Sequence, residues 1–243
     1  MLVHVGHVHT LARYPVKSMA GIAIDSAFIG WNGLQGDRRF AFRRLDDKSG
    51  FPWLSASRLP ELLLYQPTGL DEHAREPLPT HVRTPEGLML EIGSAELQNI
   101  ISERFGSPVE LMKLRNGIFD DASVSVINLA TIAGIGREVG RELDTRRFRP
   151  NIVIASESTE PFSEDGWIGG RLLFGNHEDG PIVSLTMRDL RCVMINFDPD
   201  TAEADPVVMK GAVRLNENNA GAYGTVNRTG QISVGQPVSL ITE

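Results

Sequence analysis

Cysteine is almost missing from this chain of 243 residues, in which Cys192 is the single example. One thiol cannot make an internal disulfide, a structural zinc site built from cysteines, or an iron–sulfur cluster held by this chain alone, because each of these needs two to four thiolates. Any iron–sulfur centre that exchanges electrons with this chain must therefore belong to another protein.

Long hydrophobic runs and an excess of basic residues are also missing. No run of about 18 apolar residues occurs, and the N-terminus MLVHVGHVHT lacks the basic-then-apolar order of a signal peptide, so we expect a cytoplasmic protein with no membrane span. The formal net charge is −7, whereas proteins that bind nucleic acids normally carry a basic excess. We expect no nucleic-acid partner, although a local basic pocket is compatible with this charge.

Short β-branched and aromatic runs separated by turns dominate what is present. They include LVHVGHV, GIAIDSAFIG and RRFAFRRL near the start, and NIVIAS, GRLLFG, PIVSLTM, RCVMINF and QISVGQPVSLI in the second half. The segment HVRTPEGLMLEI predicts a hairpin that turns at residues 85–87. We predict an α+β fold that is mainly β and barrel-like, with a few helices.

Two segments predict helices. GSAELQNIISERFG has Ser94 as an N-cap, apolar residues at helical spacing and Gly106 at its end. NLATIAGIGREVGREL can start at Asn128, and its glycines favour close packing against a neighbouring element although they lower helix propensity. If the chain has two domains, the composition places their boundary near residues 70–100.

Five arginines stand at predicted turns or strand ends: Arg38, Arg39, Arg146, Arg147 and Arg149. A guanidinium at such a position can bind a phosphate or carboxylate through two parallel N–H bonds, so these residues are candidates for an anion site. The alternative is that they pair on the surface with acidic neighbours such as Asp37 and Asp144. The sequence alone leaves both interpretations open.

The segment PVKSMAG places Lys17 and Ser18 in a turn before a predicted strand, where Gly21 gives conformational freedom. Such a turn can present an ammonium group and backbone N–H groups to a phosphate. It is not a Walker loop, and the glycines of AGIGREVG lack the G-x-G-x-x-G spacing, so neither nucleotide motif applies. No Gly-x-Ser-x-Gly elbow and no evident carboxylate pair indicates a hydrolase.

Two further residue types are candidate metal ligands. His4, His7 and His9 lie on the first predicted strand, where His7 and His9 share a face, and the alternative to a metal site is a half-exposed polar face. Cys192 follows Arg191 and begins the predicted strand RCVMINF. A neighbouring cation favours the thiolate, which attacks electrophiles or binds a soft metal, whereas the alternative is a small buried hydrophobe.

Several motifs occur together and in one order: RYPVKSMAG, GLQGDRRFAF, FRPNIVI, RCVMINFDPDT and GQISVGQPVSL. In this combination the chain resembles the MOSC (molybdenum cofactor sulfurase C-terminal) domain proteins, in particular the group of the mitochondrial amidoxime reducing component. The resemblance covers nearly the whole chain. It implies a MOSC-type β-barrel domain over residues 96–243, preceded by a β-rich N-terminal module over residues 1–95.

The resemblance also implies a molybdenum cofactor of the molybdopterin type, with Cys192 as the metal ligand and the catalytic thiolate. By match to the same motifs, Asn151 would brace the turn that Pro150 fixes. Leu190 stands where eukaryotic relatives often carry a serine or another small polar residue, so a hydrogen-bonding group near the metal is missing. The other residues implied to bind the cofactor are Lys17, Ser18, Arg38, Asp121, Ser123, Arg149, Arg191 and Tyr223.

The implied activity is the reduction of N-hydroxylated compounds, such as hydroxylamino-purines and amidoximes, with electrons from a separate ferredoxin- or cytochrome-type protein. A competing interpretation is a protein that carries molybdenum cofactor, or a persulfide sulfur on Cys192, without turning over a small substrate. A third is a family member that binds but has lost catalysis. The resemblance leaves an association with pyridoxal phosphate open as well.

Overall fold

A computed structural model of the chain describes residues 1–117, 121–176 and 179–242. Within these residues there are sixteen strands, three α-helices and four short 3-10 helices. The strands are β1 (Leu2–Arg13), β2 (Ile22–Ile24), β3 (Ser26–Gly30), β4 (Gly33–Leu34), β5 (Phe40–Arg44), β6 (Gln66–Thr68), β7 (His81–Arg83), β8 (Met89–Glu91), β9 (Val109–Lys113), β10 (Val124–Asn128), β11 (Ile152–Ser156), β12 (Arg171–Phe174), β13 (Ile182–Leu190), β14 (Asn219–Arg228), β15 (Gly230–Ser233) and β16 (Pro237–Ile241). The α-helices are α1 (Ala95–Phe105), α2 (Leu129–Glu138) and α3 (Val207–Asn216), and the 3-10 helices span Pro60–Leu64, Thr145–Phe148, Ser163–Trp167 and Val193–Asn196.

Seven strands form a closed barrel. Their order is β11-β10-β14-β13-β12-β16-β1, and β1 pairs back onto β11. Within the barrel only β10 and β11 run parallel, and the other pairs are antiparallel. The twelve-residue β1 closes the barrel because it pairs with both β16 and β11, and Gly6 allows this, since a Cβ there would lie 2.2 Å from the Ala155 carbonyl oxygen. The predicted mainly β, barrel-like fold is confirmed.

Three hydrophobic cores stabilise the fold. The first fills the barrel and contains residues such as Val126, Ile154 and Phe174. The second joins residues 16–109 with Phe197 and packs α1 against β8 and β9. The third covers the outside of the barrel with α2 and α3. The first two cores each contain residues from before and after position 95. The division of the chain into domains at residues 1–95 and 96–243 stays a prediction.

Both predicted helices are present. The Ser94 Oγ accepts a hydrogen bond from the Leu97 N–H, and Gly106 ends α1 in the left-handed conformation, φ 79°. The Asn128 Oδ1 accepts from the Ala130 N–H at the start of α2. This helix is shorter than predicted, because Gly140 turns left-handed, and the expected close packing occurs at Gly134, where a Cβ would lie 2.6 Å from Pro161.

The prediction of a strand over RCVMINF is wrong. β13 ends at Leu190, and Cys192 instead caps the 3-10 helix Val193–Asn196. Apolar β-branched residues favour strands, but here a turn is stabilised by side chains distant in sequence, described below. The sequence also gave no sign of α3, which begins after Pro206 with two valines, residues of low helix propensity.

The three N-terminal histidines lie on the solvent side of β1. His7 and His9 are exposed on either side of the buried Val8, as their alternation predicts, and His4 is exposed beyond a β-bulge. In the described part of the chain, no group of three or more histidine, cysteine and acidic side chains is arranged to hold a metal ion. The polar-face interpretation is the one that the structure supports for these residues.

Candidate active site

A cavity of about 360 Å³ lies among the segments that follow β1 and β13, those that flank β5, those that precede β10 and β11, and β14. Five basic and two acidic side chains line it, so the cavity is basic within a chain whose net charge is −7. Eight of the ten predicted site residues lie on its wall: Lys17, Ser18, Arg38, Asp121, Arg149, Arg191, Cys192 and Tyr223.

Two predicted residues, Asn151 and Ser123, are not among those that line the cavity. Asn151 is buried and works as a brace: its Oδ1 accepts from the Ser125 N–H at 3.1 Å and from the Arg38 Nη1 at 3.3 Å, and its Nδ2 donates to the Ala12 carbonyl at 3.3 Å. These bonds connect β10, the end of β1 and Arg38, and a role of Asn151 toward the cofactor stays a prediction. Ser123 packs its carbonyl against Gly33, and Ser125 faces the cavity instead.

Tyr14 is a site residue that the motifs did not single out. Its side chain is 2% exposed, and its ring lies beneath two guanidinium groups, with the Cζ of Arg149 4.3 Å and that of Arg38 5.2 Å from the ring centroid. Burial raises the pKa of Tyr14, and the two arginines oppose that rise only in part, so the phenol is neutral around neutral pH. The aromatic residue beside the predicted lysine turn was the only sequence signal for it.

Arg147 and Arg191 are buried and hold the loops that carry the site. Arg147 donates from Nη1 to the Asn196 carbonyl at 3.0 Å and from Nη2 to Asp198 at 2.7 Å, which secures the turn after Cys192. Arg191 donates from Nε to the Ala220 carbonyl at 2.6 Å and from Nη1 to the Phe148 carbonyl at 2.7 Å. The resemblance assigned Arg191 to the cofactor, whereas in the structure its hydrogen bonds tie together three segments of the protein.

The acidic side of the cavity is built around Asp189. This residue is 1% exposed, accepts from the Ser125 Oγ at 3.1 Å and forms an ion pair with Arg191 at 3.0 Å.

On another wall of the cavity, the Nζ of Lys17 lies 5.3 Å from the ring centroid of Phe51, and Lys17 is 6% exposed. A buried ammonium is stabilised by an aromatic face in this arrangement.

Cys192 lies on the cavity wall with its side chain exposed, so it is not the small buried hydrophobe of the alternative interpretation. Leu190 lies beside it on the wall and is 64% exposed. The thiol is therefore reachable by a ligand, with an apolar side chain next to it.

The remaining arginines of the predicted anion set have surface roles. Arg146 binds Asp144 and Asp200, and Arg39 binds Glu76 and the Leu114 carbonyl. Neither residue lines the cavity. The acidic-pairing interpretation applies to these two. The other three, Arg38, Arg147 and Arg149, reach the cavity, although Arg38 also pairs with Asp37, as the alternative expected, and Arg147 with Asp198.

The basic, thiol-bearing cavity beside a seven-stranded barrel defines a class of protein. The sequence model of the MOSC domain matches residues 108–239, and this chain belongs to the MOSC domain family. It is 27% identical to the mitochondrial amidoxime reducing component 2 of Bos taurus, over 98% of this chain and 84% of the relative. It is 25% identical to the mitochondrial amidoxime-reducing component 1 of Homo sapiens, over 99% and 85%.

A solved structure shares the fold. The YuaD protein from Bacillus subtilis superposes with a TM-score of 0.53 over 99% of this chain and 96% of its own, at 15% sequence identity. The expected resemblance to the MOSC domain and to amidoxime reducing components is thus confirmed. MOSC proteins are associated with the molybdenum cofactor, and the relatives are named for the reduction of amidoximes.

Other expectations receive no support from these comparisons. The names of the matching family and relatives do not mention pyridoxal phosphate. The relatives are mitochondrial by name, so the cytoplasmic expectation for this chain is unsupported. Among the residues that the structure describes, no helix combines the length and the apolar character that crossing a membrane requires.

Proposed function

We propose that this protein is a molybdenum-cofactor-dependent reductase of N-hydroxylated compounds, such as amidoximes and hydroxylamino-purines. The observation that carries the proposal is the meeting of the chain's one thiol, Cys192, with a basic cavity wall formed by residues distant in sequence. A thiolate is the kind of soft ligand that a transition metal selects, and clustered guanidinium groups suit a phosphate.

The cavity fits this cofactor in its donor chemistry. Cys192 would provide the sulfur ligand to the metal, and Arg38 and Arg149, stacked on Tyr14, would bind the cofactor phosphate. Lys17 and the backbone of Ser18 line the same wall. The Ser18, Arg38 and Arg149 backbones all have positive φ, of 68°, 48° and 50°, and such conformations in non-glycine residues concentrate at functional sites.

When bound, the cofactor would supply the two-electron chemistry that reduces an N–O bond. Reduction of an N-hydroxyl group to N–H consumes two electrons and two protons and releases water. This chain's own residues would bind the cofactor and orient it, while the loops tied by Arg147 and Arg191 keep the thiol on the cavity wall. The electrons would come from a separate ferredoxin- or cytochrome-type protein, because one cysteine cannot hold an iron–sulfur cluster.

The decisive experiment is molybdenum per chain, measured by plasma mass spectrometry on protein from a cofactor-competent host, together with amidoxime reduction by an artificial electron donor. Cys192→Ala should abolish turnover and leave the melting temperature unchanged, because the side chain is exposed. Retained turnover in folded Cys192→Ala would rule out the thiolate role. Wild-type protein with no molybdenum and no turnover would rule out the proposed function.

A second candidate function is the carriage of a persulfide sulfur on Cys192, which the exposure of this thiol favours. An exposed persulfide can be handed to an acceptor without a small substrate in the cavity. Sulfur released from the wild-type protein by cyanide, absent from Cys192→Ala and unaccompanied by molybdenum, would favour the carrier. Molybdenum and reductase turnover without such sulfur would favour the enzyme.

A further inference from the structure

Tyr14 is the shared contact of two arginines that lie far apart in sequence. Its ring faces both guanidinium groups, at 4.3 Å for Arg149 and 5.2 Å for Arg38. The Arg38 Nη2 also donates to the Arg149 carbonyl at 3.3 Å, which brings the two segments together. The Asp37 carboxylate pairs with Arg38 and so reduces the repulsion between the two guanidinium groups, and the negative face of the aromatic ring attracts both of them.

The ring itself is held from behind and through its backbone. A Cβ on Gly21 would lie 2.4 Å from the Tyr14 Cε1, so the glycine leaves room for the ring to lie flat against the chain. The Tyr14 N–H donates to the Asp37 Oδ1, and the Tyr14 carbonyl accepts from the Arg38 N–H at 2.7 Å. Tyr14 is therefore tied directly to the Asp37–Arg38 turn, and its ring has little freedom to move away from the arginines.

Packing alone does not account for this arrangement. An aliphatic side chain could fill the same volume, but it has no quadrupole with which to attract a cation. Both arginines line the cavity rather than the barrel core, so the ring contacts residues that can reach a ligand. The feature therefore concerns the geometry of the cavity wall more than the stability of the fold.

We propose that Tyr14 is a positioning residue whose ring holds the Arg38 and Arg149 guanidinium groups at one spacing, so that together they form a site for a phosphate group. The inference rests on the proposed function in that the phosphate of a molybdopterin-type cofactor is its natural occupant. The site is defined by phosphate chemistry, so inorganic phosphate is also a ligand for it. Tyr14 acts through the arginines and does not itself touch the reacting atoms.

The test measures inorganic phosphate binding by calorimetry to the full chain, produced in a host that cannot make the cofactor. Tyr14→Leu should weaken phosphate binding about tenfold, because the ring's attraction for two cations is lost, and Tyr14→Phe should bind within about twofold of the wild type. The matched control is Tyr65→Leu, which removes a fully buried tyrosine of the second core that does not line the cavity. This control should lose stability and retain phosphate affinity.

A double-mutant comparison separates positioning from general support of the fold. In an Arg149→Gln background, Tyr14→Leu should change phosphate affinity far less than in the wild type, because one of the two groups that the ring holds is gone. An undiminished effect in that background would overturn the proposal. If Tyr14→Leu does not fold, Gly21→Ala replaces it, since the added methyl must displace the ring; unchanged phosphate affinity in folded Gly21→Ala would equally overturn the proposal.

Failure of this inference and failure of the proposed function give different results. Molybdenum per chain in protein from a cofactor-competent host reports the function, and Tyr14-dependent phosphate binding reports the inference. Phosphate binding that depends on Tyr14, without molybdenum, would keep the inference and reject the function. Near-stoichiometric molybdenum with phosphate affinity that Tyr14→Leu leaves unchanged would keep the proposed function and reject the inference about Tyr14. Near-stoichiometric molybdenum with no phosphate binding at all would have the same meaning.

Discussion

Replacement of Arg191 by methionine should destabilise the fold strongly, even though this residue lies on the cavity wall. Its side chain is 7% exposed, and it connects the Phe148 carbonyl, the Ala220 carbonyl and the Asp189 carboxylate. Methionine has similar length and fills the volume, but it donates no hydrogen bond. The substitution therefore removes two hydrogen bonds to backbone carbonyls and one ion-pair partner of the buried Asp189 carboxylate.

The expected magnitude follows from the desolvated carboxylate and the two lost bonds. Breaking a buried ion pair by removing one partner costs about 3–5 kcal/mol, and most of that is the charge left without compensation. The Ser125 Oγ still donates to Asp189, which limits the loss, while the two lost hydrogen bonds to carbonyls add to it. We expect a decrease of about 3–5 kcal/mol in the free energy of unfolding, equivalent to about 10 °C in Tm for a chain of this size.

The assay is urea unfolding followed by circular dichroism, with the midpoint and slope compared between variants at constant pH and salt. The matched control is Arg146→Met, because Arg146 also binds two carboxylates, Asp144 and Asp200, but is 51% exposed. An exposed pair contributes about 0–1 kcal/mol. A loss of less than about 1 kcal/mol for Arg191→Met, or losses of equal size for the two variants, would refute the reasoning.

Three more predictions test other parts of the structure. Ser94→Ala should cost about 1 kcal/mol of unfolding free energy, while Ser94→Asp should cost little, because only alanine leaves the Leu97 N–H without its cap; urea unfolding measures both. Burial raises the pKa of Glu164 above its ordinary 4.5, so the folded chain holds this proton more tightly than the unfolded chain. The contribution of this group to the free energy of unfolding is therefore complete below about pH 4.5, and it is lost as the pH rises through the folded pKa. Glu164→Gln should therefore lose less stability than the wild type between about pH 4 and pH 8, and an identical pH dependence would contradict this. Arg149→Ala should weaken cofactor retention by about 1.5–3 kcal/mol, and unchanged molybdenum content after extensive dialysis would contradict it.

The regular elements that the sequence predicted well are those whose determinants are local. α1 is specified by Ser94, by apolar residues at helical spacing and by Gly106, all within one segment. The hairpin of β7 and β8 turns as expected, with the Thr84 N–H donating to the Leu88 carbonyl and the Gly87 N–H to the Thr84 carbonyl. The barrel closure was not predictable in detail, because β1 pairs with strands about 150 and 230 residues away.

The segment after Cys192 illustrates why the rest could not be predicted. Its composition favours a strand, but the Asn196 carbonyl accepts from Arg147 and the Asn196 Oδ1 accepts from the Met209 N–H, which together stabilise a turn. These partners lie 49 and 13 residues away, beyond the reach of a local pattern. Eight of the ten predicted site residues lie on one cavity because they belong to recognisable motifs, whereas Tyr14 and Asp189 were identified only through their contacts.

The two arginines of RFRPN show that neighbouring residues of one type can have separate roles. Arg147 lies in a 3-10 helix and binds the turn after Cys192, whereas Arg149 has left-handed backbone, φ 50°, and lies against Tyr14. Because the backbone φ angle changes sign between the two residues, their side chains point to different partners. Because Phe148 between them also accepts from Arg191, one short loop joins the position of the thiol to that of the phosphate site. Substitutions in this loop should therefore disturb both the position of the thiol and phosphate binding, whereas substitutions at Tyr14 should weaken phosphate binding and leave the turn after Cys192 in place.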